Sequence, residues 1–174
     1  MKNFGGAVLD KKWDKAQFSE IIKYIKDKHH SYWKEELTQI EVLVYKILKV
    51  HYSDNGEELT EVHKLFGRLK NRLELILVIK QVSLYPSILE HQREDSAESF
   101  DIMNKNIINI ETEYKDIIET LNSLERVTNG YKMPEPGCQT FDKTYKKLKE
   151  LNDDILENIR LEKDIMYRRL KDRS

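Results

Sequence analysis

The stretch Leu148 to Arg169, LKELNDDILENIRLEKDIMYRR, decides how this chain is read. At helical spacing Leu148, Leu151, Ile155, Asn158, Glu162 and Ile165 share one seam, so an amide and a carboxylate sit one turn apart where apolar residues belong. An interior carboxylate costs several kcal/mol unless something pairs with it. The other helices therefore need to supply a partner for Glu162.

The chain has 174 residues, enough for one domain with a sizeable core. Charged residues make up 35% and apolar residues 39%, with 6 Gly and 3 Pro, which favours long surface-charged helices over sheets. Thirty basic residues against 31 acidic ones leave a formal net charge of -1. No field of either sign points to a nucleic acid or an acidic membrane as partner. The single cysteine, Cys138, cannot form an internal disulfide, and the N-terminus lacks a signal-peptide pattern; the expectation is a cytoplasmic protein. The longest apolar run, Leu73 to Ile79, is broken by Glu74 and far shorter than a membrane span.

Four helices are expected. Residues 1–15 read as a lead-in and 16–174 as the bundle. The first helix starts near Phe18-Ser19-Glu20, with Ser19 as a plausible N-cap, and runs to about His51, its seam interrupted by His30. Ser53-Asp54-Asn55-Gly56 is a turn, after which the second helix runs from about Glu57 to Tyr85 and ends at Pro86 or shortly after. Its seam, Val62, Phe66, Leu69, Leu73, Ile76, Lys80 and Ser83, is interrupted by Lys80. HQREDSAE, His91 to Glu98, reads as a polar connection, with Ser96 or Glu98 near the next helix start. The third helix covers about Ala97 to Val127, with Tyr114 as its polar seam residue, and the proline- and glycine-bearing loop Thr128 to Gln139 leads to a fourth helix over about Thr140 to Lys171. The fold class is all-α, an antiparallel up-down-up-down four-helix bundle. His30, Lys80, Tyr114, Asn158 and Glu162 converge as a buried polar cluster.

Several stretches resemble the iron–sulfur cluster repair di-iron proteins of the hemerythrin-like superfamily: IIKYIKDKHHSYWKEEL (Ile21–Leu37), VHYSDNGEEL with VHKLF (Val50–Phe66), SLYPSI (Ser83–Ile88), VTNGYKMPEPGCQTF (Val127–Phe141) and NDDILENIRLEKDIMYRRL (Asn152–Leu170). The resemblance implies a bundle holding two irons through histidines and carboxylates of all four helices. Its ligand positions fall on His30, on Ile76 and Lys80 in the second helix, on Tyr114 in the third, and on Asn158 and Glu162 in the fourth. Only His30 and Glu162 keep ligand chemistry, and an ammonium at Lys80 repels a dication as well as taking its space. The family's N-terminal cysteine-bearing domain is not in this sequence. The expected site is a former metal cluster with no cofactor, in which Lys80 pairs with Glu162 and His30, Tyr114 and Asn158 complete the hydrogen bonding. The function expected is a metal-free binding, regulatory or scaffold role, with an unidentified protein partner and no enzymatic activity. The alternative is iron on a non-standard site of His30 and Glu162, acting in cluster repair or in the response to nitric oxide and oxidative stress.

Each residue also has a plainer reading. Lys80 can snorkel to the surface, Glu162 can pair with Arg160 or Arg169, and Tyr114 can simply pack its ring. His29 is expected on the surface. His51, His63 and His91 lack ligand spacing, with His91 in a polar loop. Cys138 has no histidine at an interpretable spacing and is read as packing where the loop meets the fourth helix, with a nucleophilic or redox role as the alternative. Trp13 and Phe18 cover one end of the bundle.

Overall fold

The computed structural model describes residues 12–135 and 137–172. Among them there is no strand, and the helices form four arms. The first comprises α1 (Phe18–Ile25), a π-helical segment Lys26–His30 and α2 (Ser31–Val50). The second comprises α3 (Tyr52–Ile79), a π segment Lys80–Leu84 and α4 (Tyr85–Glu94). The third is α5 (Ala97–Val127), unbroken, and the fourth is α6 (Gln139–Arg160), a π segment Leu161–Tyr167 and α7 (Arg168–Lys171). α2 packs on α3 and α6, and α5 packs on α3 and α4. This is the all-α four-helix bundle expected. Of the lead-in, residues 1–11 lie outside the described residues; Trp13 is buried, and Arg169 donates to its carbonyl.

Four expectations about helix ends are corrected. The first helix is capped by Gln17, whose backbone N–H donates to Glu20 at 2.9 Å; Ser19 is already inside the first turn. The second arm does not end at Pro86 but continues to Glu94. The π segment resets the helix so that Pro86 falls in the first turn of α4, where a missing amide leaves no hydrogen bond broken. Asn106 of α5 holds this join, accepting from Ser83 Oγ at 2.8 Å and donating to Ser87 Oγ at 3.1 Å, while Ser87 Oγ satisfies the Leu84 carbonyl. The polar run His91 to Glu98 is accordingly not a connection: its first half is helix, and Asp95 alone turns left-handed (φ 47°) before Ser96 caps α5. The Ser53–Gly56 turn is a kink at Asn55 (φ -134°) within α3.

The loop after α5 takes three successive left-handed residues, Asn129, Gly130 and Tyr131. Thr128 makes this feasible, its hydroxyl donating to the Leu124 carbonyl at 2.7 Å and accepting from the Tyr131 N–H at 3.0 Å. The core runs the length of the bundle, from Trp13, Phe18 and Ile21 through Trp33, Ile76 and Ile110 to Phe141 and Tyr145.

Candidate functional site: a buried ion pair ringed by hydroxyls

Glu162 lies in the π segment of the fourth arm with no solvent exposure, and Lys80, which opens the π segment of the second arm, has none either. Their charged atoms, Nζ and Oε2, are 2.9 Å apart. Lys80 also donates to Asn158 Oδ1 at 3.3 Å and lies 5.1 Å from the Tyr114 ring centroid and 5.5 Å from that of Trp33, so aromatic faces share its charge. Burial pushes the Lys80 ammonium below its usual pKa, and the Glu162 carboxylate pulls it back up.

Glu162 accepts from three hydroxyls besides the ammonium. Tyr114 Oη donates to Oε2, Tyr85 Oη to Oε1 at 2.9 Å, and Tyr167 Oη to Oε2 at 3.3 Å. Burial, and then the adjacent carboxylate, hold the Tyr85 and Tyr167 hydroxyls well above their ordinary pKa, which keeps both as donors. His30 stands beside this ring, Nε2 3.4 Å from Tyr85 Oη and its ring stacked on that of Tyr85 at 5.9 Å. Desolvation, and next the Lys80 charge, lower the His30 pKa to about 2, so it is neutral at physiological pH.

The structure thus brings together His30, Lys80, Tyr114, Asn158 and Glu162, with Ile76 fully buried on the same seam. The surface readings do not hold: Lys80 does not snorkel, and Glu162 finds its cation in Lys80. Asn158 is only half satisfied, its Nδ2 having no hydrogen-bond partner. Sequence reasoning missed Tyr85 and Tyr167. Neither lies on a seam drawn at 3.6 residues per turn; the signal available was SLYP and IMYRR, tyrosines within a few residues of Lys80 and Glu162.

His29 also differs from expectation. It is fully buried, with Nδ1 3.0 Å from both oxygens of Asp154, which accepts in addition from Trp33 Nε1 at 2.7 Å. Both consecutive histidines lie in the π turn Lys26–His30, which carries them inward together. His91, read as a loop residue, is buried in α4, with Nδ1 2.9 Å from Ser99 Oγ.

The di-iron donor set implied by the family resemblance does not fit these residues. Four donors already occupy the two oxygens of Glu162, an ammonium lies where a cation would bind, and Ile76 offers no donor. Among the described residues no group of three or more His, Cys, Asp or Glu is arranged to hold a metal ion. Nor is any helix among them long and apolar enough to cross a membrane.

The comparisons with known proteins agree with the architecture. The chain is 25% identical over 161 residues to the iron-sulfur cluster repair protein YtfE of Citrobacter koseri, covering 92% of this chain and 70% of that protein. The YtfE proteins of Escherichia coli O81 and Escherichia fergusonii match over the same shares at 26% and 25% identity. The sequence pattern of the hemerythrin HHE cation binding domain matches residues 20–170. Spanning nearly all the helical residues, that match places the chain in the hemerythrin HHE cation binding domain family.

Proposed function

We propose that this chain is a hemerythrin-like bundle that works without metal, as a binding, regulatory or scaffold protein, because Lys80 supplies the positive charge that bound cations supply in the family. The observation that carries this reading is the 2.9 Å Lys80–Glu162 pair with neither side chain exposed. Three hydroxyls and the Lys80 ammonium already share the two oxygens of Glu162, and any incoming cation has to displace them. His30, Ile76, Lys80, Tyr114, Asn158 and Glu162 are then the remnant of a metal cluster, now a structural plug. The names of the relatives, iron-sulfur cluster repair proteins, support a role connected with cluster repair. A reduced, cytoplasmic setting suits the single unpaired thiol.

The test is metal analysis and an absorption spectrum of the chain purified from iron-supplemented cells. The expected result is iron far below one equivalent and no oxo-bridged charge-transfer bands. Near-stoichiometric iron with those bands overturns the proposal and favours iron chemistry at His30 and Glu162.

A further inference from the structure

Cys138 and His51 are 87 residues apart in sequence, and the fold brings Sγ within 3.2 Å of Nε2. Their backbones fix the encounter. His51 is the C-cap of α2 and Cys138 the N-cap of α6, so the end of one arm meets the start of another. The Cys138 carbonyl accepts the Asp142 N–H at 3.0 Å, while its side chain makes no capping bond, which leaves the thiol available to the imidazole. The His51 ring lies 5.2 Å from the Phe141 ring, which meets Tyr145 edge-on at 4.8 Å, and Tyr145 donates to Glu58 of α3. That chain of contacts orients the imidazole. Both members of the pair are half-buried.

We infer that Cys138 and His51 form a nucleophile–base pair that exchanges with low-molecular-weight disulfides, making Cys138 a site of reversible mixed-disulfide modification. The pair has the geometry of an activated thiol, a sulfur within reach of an imidazole nitrogen and at a helix N-terminus. Sulfur exchange suits it better than acyl transfer, which also needs oriented donors for a developing oxyanion. In the exchange, His51 Nε2 takes the thiol proton and Sγ bonds to one sulfur of the disulfide. The disulfide S–S bond breaks with its electron pair on the other sulfur, which leaves as a thiol carrying the proton returned by Nε2. The sequence holds no second cysteine to resolve the adduct, so it persists until an external thiol reverses it.

The test exposes the full chain to glutathione disulfide at neutral pH and follows its intact mass. The wild type is expected to gain one glutathionyl group, and Cys138→Ser none. His51→Gln should react about tenfold more slowly or worse at unchanged melting temperature, and free imidazole should restore part of the rate to His51→Ala. Equal rates for wild type and His51→Gln overturn the inference. So does a native wild-type rate below that of the urea-unfolded chain, a comparison that stands even if both histidine variants misfold.

Discussion

α5 and the other three arms solve the same packing problem in different ways. α5 keeps α geometry from Ala97 to Val127 and buries Met103, Ile107, Ile110, Tyr114, Ile117, Leu121 and Leu124 at regular spacing. Each of the other arms passes into a π segment where it contributes charged or imidazole groups to the interior: His29 and His30 in the first, Lys80 in the second, Glu162 in the fourth. A π turn takes an extra residue and so shifts the inward face relative to a regular α-helix. The difference suggests that the polar centre is built by local departures from regular helix, and that α5, giving one hydroxyl, needs none.

Lys80→Ala tests the difference most severely. It leaves Glu162 buried without its cation and should cost on the order of 3–5 kcal/mol in chemical denaturation. Replacing both partners by apolar residues of similar volume, Lys80→Met with Glu162→Leu, should cost less than Lys80→Ala alone, because no charge is stranded. If the double variant is as unstable as the sum of the two single ones, the pair is not a coupled unit.

Tyr114→Phe comes next. Removing a donor to the buried carboxylate should cost about 1.5–3 kcal/mol. Tyr167→Phe, at 3.3 Å, should cost less. Negligible losses at both positions would mean that the hydroxyls add nothing beyond the packing of their rings.

Acid gives a graded effect through His30. Its pKa is about 2 in the fold against 6.5 when free, so below pH 6.5 the unfolded chain binds the extra proton and the folded chain does not. The stability tied to His30 is complete above that pH and falls, as the pH drops, by up to ~1.4 kcal/mol per unit. His30→Gln should remove that part of the slope between pH 6 and pH 4, measured as the difference from wild type. Parallel slopes in the two proteins would show that His30 is protonated in the fold.

The smallest effect belongs to the surface. Lys23 pairs with Asp27 one turn away, but both are largely exposed, and Lys23→Ala should leave the melting temperature unchanged.

α5 was legible from sequence to the residue because its period never changes, and the Lys80–Glu162 pair because both lie on seams that are otherwise apolar. His29, Tyr85 and Tyr167 were not legible: each lies in or beside a π segment, where a fixed period of 3.6 assigns the wrong face. The continuation through Pro86 was hidden for the same reason, since proline reads as a stop unless the helix is known to restart beneath it. Cys138 and His51 meet only through tertiary structure, and no local pattern encodes a contact 87 residues long.

The covalent attachment of the Lys80 ammonium has a consequence for biogenesis. A centre neutralised by a dissolved ion matures only as fast as the cell delivers that ion, and its stability rises and falls with the free concentration. Here the counter-charge arrives with translation and is always at one equivalent, so the bundle should reach its native state as readily in an iron-starved cell as in a replete one.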